Sequence, residues 1–236
     1  MLRVFLDSYP VLRIAEVLDR RQENRVSEFG MLAQAFEFAK TNGIAGDYFE
    51  FGLWRGKSFG WARLMARRYR VNGIKFRGFD SFRGLPTSEE KQYNIWSKGQ
   101  YAIGRPEFEG LLRRKGFKAG EYILVEGMYS DSLTPKLSAE LQALGVKAAI
   151  VYIDCDLYES TRDVLRFIRP FLQDGTVLCF DDYFAFRGRP DMGEQRALAE
   201  FQRANPEVRM TPYVVFGSLG MSFLCHLHAA QEVELE

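Results

Sequence analysis

The chain has 236 residues, 47% of them hydrophobic and 27% charged, close to the averages of soluble globular proteins; this excludes a disordered, collagen-like or polar linker protein. With 32 basic against 31 acidic residues the net charge is +1, which leaves no large field to attract nucleic acid or an acidic membrane surface. At this length one large α/β domain over residues 1–236 is expected in preference to two small ones. Cys155, Cys179 and Cys225 form no Cys-x-x-Cys pair and no disulfide framework, so reduced, buried thiols are expected. Met1–Pro10 breaks its apolar run with Arg3 and Asp7, too soon for a signal-peptide core, and no run of roughly 18 uncharged apolar residues follows. A cytoplasmic location is expected.

Apolar positions at helical spacing (Val11, Ile14, Ala15 and Leu18, then Phe29, Leu32, Phe36 and Ala39) predict two N-terminal helices within residues 1–45. From Gly46 onward the pattern changes to short apolar or β-rich runs: Tyr48–Phe51, Phe76–Phe79, Tyr122–Val125, Ala148–Ile153 and Thr176–Phe180. Helical stretches separate them, at Ser58–Tyr69, Pro106–Lys115, Pro135–Leu144 and Glu159–Leu172, the last with Pro170 near its end. That alternation predicts a parallel sheet with helices on both faces. At the C-terminus Tyr213–Phe216 and Met221–Leu227 flank Gly217–Gly220, an antiparallel pair joined by a tight hairpin at one edge of the sheet. Phe201 and its neighbours read as core.

Each of the five parallel strands is expected to end in a carboxylate: Glu50, Asp80, Glu126, Asp154 and Asp181, at intervals of 30, 46, 28 and 27 residues. A βα unit takes about 30 residues, so the second interval is oversized. Its excess falls in residues 81–105, a Gly-rich, aromatic stretch (Phe82, Tyr93, Trp96, Tyr101) without periodicity, which is a candidate lid.

In open α/β sheets ligands bind outside the carboxyl ends of the strands. The turn Glu50-Phe51-Gly52-Leu53-Trp54-Arg55-Gly56-Lys57-Ser58 lacks the dinucleotide Gly-x-Gly-x-x-Gly pattern, because Trp54 takes the middle glycine. It also lacks the first glycine of a phosphate-binding loop, replaced by Phe51. Asp80 stands where an acid grips a ribose diol, and a turn-capping role explains it equally well. Glu126-Gly127-Met128 could let a flat base lie on the backbone, and turn chemistry explains that segment nearly as well. Asp154-Cys155-Asp156 with Asp181-Asp182 would repel one another unless a cation intervenes, and an all-carboxylate set favours Mg²⁺, Mn²⁺ or Ca²⁺ over Zn²⁺; helix capping is the alternative. The same acids resemble a haloacid-dehalogenase phosphatase, but only one βα unit separates Asp154 from Asp181, too little for that enzyme's intermediate elements. Arg187 and Arg189 could meet an anionic group on a substrate. His226 and His228 share a strand face but lack a third ligand for zinc.

Four segments together resemble the macrocin O-methyltransferase family of class I S-adenosylmethionine-dependent methyltransferases. They are Phe49–Gly56, Asp80–Pro86, Glu126–Leu133, and Ile153–Thr161 with Asp181-Asp182-Tyr183. The resemblance implies a Rossmann-like, seven-stranded, mostly parallel sheet with an antiparallel C-terminal strand. It further implies Mg²⁺-dependent methyl transfer to a sugar hydroxyl of a glycosylated natural product or saccharide precursor, by a homo-oligomer. Carried over residue by residue, Asp154, Asp181 and Asp182 would hold Mg²⁺ and Asp156 would be the general base. Glu50, Gly52 and Ser58 would surround the methionyl end of S-adenosylmethionine, Asp80 and Ser81 its ribose, and Gly127 and Met128 its adenine. A catechol-like phenol is the alternative acceptor; a metal-dependent phosphatase or a noncatalytic cofactor-binding module are the alternatives of a different class.

Overall fold

The computed structural model describes residues 26–227, within which a seven-stranded sheet has the order β3-β2-β1-β4-β5-β7-β6. The strands are β1 Asp47–Phe51, β2 Phe76–Asp80, β3 Tyr122–Glu126, β4 Ala148–Ile153, β5 Val177–Phe180, β6 Val208–Phe216 and β7 Gly220–Leu227. The first five pair in parallel, and β7 runs antiparallel to both of its neighbours, β5 and β6. This is the sheet that the resemblance implies. The expected N-terminal helix around Val11–Leu18 and His228 lie outside the described residues.

Helices cover both faces: α1 Glu28–Thr41, α2 Lys57–Arg68, α3 Arg105–Arg114, α4 Pro135–Ala143, α5 Tyr158–Ile168 and α6 Gly193–Ala204. Ser27 starts α1 by accepting the Gly30 N–H at 3.0 Å, and Thr134 does the same for α4 through Leu137, with Pro135 in the first turn. Strand alternation then divides the core. Tyr48 on β1 and Ile150 and Tyr152 on β4 face a cluster with Phe36, Phe59, Met65 and Phe108 from α1, α2 and α3. Phe49, Phe51, Val151 and Ile153 face the other, with Leu165, Phe167, Leu198 and Phe201 from α5 and α6.

The main differences from the sequence-based expectation are two boundaries and one element. Helix α5 ends at Ile168, and Arg169–Phe171 continue as a 3₁₀ turn because Pro170 has no N–H to extend the ladder. Strand β6 begins at Val208, five residues before Tyr213; its outer half carries Arg209, Thr211 and Pro212, polar or exposed positions that an edge strand tolerates and that hide it from a hydrophobicity pattern. Helix α6 was not anticipated. Its buried stripe, Glu194, Ala197, Leu198 and Phe201, has helical spacing but contains a carboxylate.

The register of β1 and β4 sets the carboxyl edge. Phe51 lies beside Ile153, and its carbonyl accepts the Asp154 N–H at 2.8 Å. The next residue, Gly52, has φ +89°, and a Cβ built on it would lie 1.6 Å from the Asp154 carbonyl oxygen. Only glycine fits there. The Gly52→Ala variant is expected to lose at least about 3 kcal/mol of stability in thermal melts, because backbone must move. Gly43→Ala provides the control: it has a similar left-handed φ of +68° with nothing within 4 Å, so only about 1 kcal/mol of backbone cost applies. Equal losses in the two variants would show that the close approach is not what demands glycine at position 52.

Candidate active site

A cavity of about 620 Å³ opens at the carboxyl ends of β1, β2, β3, β4 and β5. Of the residues expected at a site, Gly52, Ser58, Asp80, Ser81, Gly127, Met128, Asp154, Asp156, Asp181 and Asp182 all line it. Glu50 does not: it lies one residue before the end of β1, fully buried on the face shared with Tyr48. It accepts hydrogen bonds from the Tyr48 hydroxyl and, at 2.7 Å, from the Ser58 hydroxyl, and burial pushes its carboxyl up to about 8. Its observed work is to hold the first turn of α2. Glu126 also stays outside the cavity, 3.5 Å from Arg105 at the sheet edge.

Asp80 joins two turns. One oxygen accepts the Leu53 N–H at 2.7 Å and the Trp54 N–H at 3.4 Å, while the other accepts the Phe82 N–H at 2.6 Å. Burial raises its carboxyl despite these three donors. The capping role is thus present, and only the oxygen that accepts the Phe82 N–H keeps a further lone-pair direction. Ser81 shapes the same turn, donating to the Gly84 carbonyl at 2.9 Å and accepting from the Arg83 N–H at 3.0 Å. Gly127, with φ +139°, donates its N–H to the Asp80 carbonyl at 3.0 Å, and Met128 caps the single helical turn Tyr129–Ser132.

The acids after β4 and β5 form the floor. One carboxylate oxygen from each of Asp154, Asp156 and Asp182 lies within 4.8 Å of the other two. Asp156 reaches this group from a left-handed backbone, φ +63°. Asp181, which the resemblance places among the metal ligands, instead accepts a hydrogen bond from the Tyr152 hydroxyl. The geometric trio therefore contains Asp156 and not Asp181, one of whose carboxylate oxygens is taken by the tyrosine two residues before Asp154 on β4. Burial pushes Asp156 up to about 7, with the charge of Asp181 adding to it, and pushes Asp181 up to about 6. Asp154 and Asp182 are raised well above the carboxylate range by burial and by their acidic neighbours. Such a cluster can hold a hard cation, or hold protons in its place.

Sequence reasoning missed Glu194. It is 1% exposed in the first turn of α6, where one oxygen accepts the Asp182 N–H at 3.1 Å and the other has no hydrogen-bond partner. Burial and the charges of Asp182, Asp181 and Asp156 raise its carboxyl. The signal was its place on the apolar stripe of α6, legible only once that helix is drawn.

Residues 81–104 roof the cavity. Glu159 accepts the Ser88 hydroxyl at 3.2 Å and the Glu89 N–H at 2.6 Å, and Glu90 accepts the Gly193 N–H at 2.9 Å and an Arg196 N–H at 3.3 Å. Trp96 packs on Phe186 and Tyr101 on Trp54. The two arginines considered for an anion are engaged elsewhere: Arg187 stacks over Tyr93 at 4.3 Å and Arg189 pairs with Asp191 at 2.7 Å, and neither lines the cavity. On the opposite wall Lys57 lies 3.3 Å from Glu28 and 4.4 Å over the Trp61 ring.

Comparison with known proteins places this geometry. Residues 23–208 match the family model described as macrocin O-methyltransferase. Similar curated proteins are a tetracenomycin-C 4'-O-methyltransferase from Streptomyces olivaceus (26% identical; 64% of this chain, 58% of the relative) and the mycinamicin III 3''-O-methyltransferase of Micromonospora griseorubida (27%; 64% and 61%). The demethyldecarbamoylnovobiocin O-methyltransferase of Streptomyces niveus is 28% identical over 64% of this chain and 58% of its own. The chain thus spans about three fifths of the length of the curated relatives it matches. Among solved structures, the O-methyltransferase NovP superposes with a TM-score of 0.67 (20% identical; 83% of this chain, 78% of that one), and a calicheamicin methyltransferase with 0.65 (21%; 83% and 77%). These two show the fold. Family match, sheet order and the acid-floored cavity agree, and the chain belongs to the macrocin O-methyltransferase family.

Proposed function

We propose that the chain is an S-adenosylmethionine- and Mg²⁺-dependent O-methyltransferase that methylates a sugar hydroxyl of a glycosylated natural product or saccharide precursor. The observation that carries this reading is the carboxylate trio Asp154, Asp156 and Asp182 on the floor of a cavity at the strand ends, in a chain of this family. The three curated relatives are named for methyl transfer to an oxygen of glycosylated or antibiotic molecules. A cytoplasmic setting belongs to the proposal, supported by three buried cysteines without a disulfide. Among the described residues no helix is long and apolar enough to cross a membrane. A homo-oligomer belongs to the proposal through the resemblance.

The cluster suits a hard cation: carboxylate oxygens, no sulfur or imidazole, and charges that repel in its absence. We assign Asp154 and Asp182, common to the expected set and the observed trio, as the metal's carboxylates, with Asp181 steadied beside them by Tyr152. When bound, Mg²⁺ supplies positive charge that lowers the pKa of an acceptor hydroxyl. Asp156 is assigned as the base: its carboxylate would accept the hydroxyl proton as that oxygen bonds to the methyl carbon and the carbon–sulfur bond of S-adenosylmethionine breaks, releasing S-adenosylhomocysteine. For the cofactor, Gly52 and Ser58 would border the methionyl end, Asp80 would offer its one remaining lone-pair direction to a ribose hydroxyl, and Gly127 and Met128 would border the adenine. Glu50 acts by holding Ser58, and Ser81 by shaping the turn.

Calorimetric titration of S-adenosylmethionine and S-adenosylhomocysteine, with Mg²⁺ and with EDTA, is expected to give micromolar binding; no binding in either condition overturns the reading. With an acceptor in hand, Asp156→Asn should lower kcat about 10²- to 10⁴-fold, the usual worth of a general base, while the affinity for S-adenosylhomocysteine stays unchanged. Phosphate release without S-adenosylmethionine would assign the acids to a phosphatase instead.

The acids also set a pH dependence. Their folded-state values of about 6, 7 and 8 for Asp181, Asp156 and Glu50 exceed the unfolded values near about 4. The folded chain therefore binds protons that the unfolded chain releases, and stability falls as pH rises from about 4 through this window. In EDTA the Tm should drop between about pH 6 and pH 8, and Mg²⁺ should restore more of it at the higher pH, where the carboxylates need no deprotonation to bind it. A Tm in EDTA that is flat or rising over that range contradicts the assignment of raised values to these groups.

A further inference from the structure

Two aromatic side chains stand at the cavity in conformations that packing does not explain. Trp54 (φ +36°) and Tyr101 (φ +63°) both occupy the left-handed region that bulky residues rarely adopt. Burial does not offset this cost, for Trp54 is 48% and Tyr101 38% exposed. Their rings meet edge to face with centroids 5.2 Å apart, and both line the cavity beside Trp96 and Ile95, the latter 71% exposed. The Asp80 carboxylate helps to fix Trp54 through its backbone N–H. Backbone strain retained at exposed groups beside a ligand cavity is a mark of function.

The pair shares the cavity with the acid floor: Trp54, Tyr101, Trp96, Asp154, Asp156 and Asp182 all line it, and the Trp96 side chain hydrogen-bonds both Tyr101 and Asp156. The cavity thus offers aromatic rings and carboxylates together. A ring with an apolar C–H face and a rim of hydroxyls matches both: its C–H hydrogens carry slight positive charge toward the negative faces of the aromatic rings, and its hydroxyls reach the acids.

We propose that Trp54 and Tyr101 form the platform on which the acceptor lies, and that the acceptor group is a pyranose whose C–H face rests on this pair while a ring hydroxyl points to Asp154, Asp156 and Asp182. The proposal deepens the methyl-transfer reading and rests on it.

Saturation-transfer NMR on the full chain, loaded with S-adenosylhomocysteine and Mg²⁺ and offered a panel of methyl pyranosides and catechol, tests it. Ring C–H protons of at least one pyranoside should receive saturation. Its apparent affinity should fall about tenfold in both Trp54→Ala and Tyr101→Ala, the equivalent of one lost aromatic contact. Tyr101→Phe should keep it, and S-adenosylhomocysteine affinity by calorimetry should be the same in all four proteins, which also reports that they are folded. Three results overturn the platform: saturation of catechol but of no pyranoside, pyranoside binding unaffected by both alanine variants, or a parallel loss of S-adenosylhomocysteine, which would place the pair on the cofactor. Should the unsubstituted chain fail to bind S-adenosylhomocysteine at all, the methyl-transfer reading itself falls and the platform with it.

Discussion

Where β1 and β4 end, the carbonyl oxygen of Asp154 occupies the space in which a side chain on residue 52 would sit. Because Gly52 has none, the two strand ends come together, the Asp154 N–H reaches Phe51, and the turn after β1 can bend back toward the tip of β2. There the Asp80 carboxylate takes its Leu53 and Trp54 N–H groups. The part of the cavity wall between these turns is backbone held by backbone and by the Asp80 carboxylate. Walls of this kind move little, which suits a site that works by aligning two reactants.

Electrostatics makes the same edge expensive. Asp154, Asp156, Asp181, Asp182, Glu194 and Glu50 all lie at or just beneath it, and for each the chief effect is burial, which disfavours the charged form. Hydroxyls relieve part of this: Tyr48 and Ser58 donate to Glu50, and Tyr152 donates to Asp181. Within the trio, Asp156 takes a hydrogen bond from the Trp96 side chain and shares one with Asp182. Carboxylates crowded so that they must share a proton favour a ligand of opposite charge.

The parallel strands were legible because buried strands of an α/β sheet are nearly continuous apolar runs, as Ala148–Ile153 is, and because turns close them sharply. The acids at their ends were legible for the same reason: a carboxylate directly after such a run must lie at the edge. Edge strand β6 and helix α6 were harder to see, since Pro212 and Arg209 dilute the first pattern and Glu194 interrupts the second. Which acid joins which was not in the sequence at all. That Asp156 stands with Asp154 and Asp182, while the Tyr152 hydroxyl takes one oxygen of Asp181, depends on contacts between neighbouring strand ends and on their stagger. Likewise the sequence shows that residues 81–105 are irregular, but only the fold shows Glu90 and Glu159 fastening them over the cavity.

The Glu90 fastening meets a short piece of backbone that also holds the floor. The Gly193 N–H is held by Glu90 of the roof, and the carboxylate of the next residue, Glu194, holds the Asp182 N–H of the floor. Roof and floor therefore hang in series from two adjacent residues at the start of α6. A displacement of the roof at Glu90 would be felt at the helical turn that holds the Asp182 N–H, which ties this part of the roof to the acid floor.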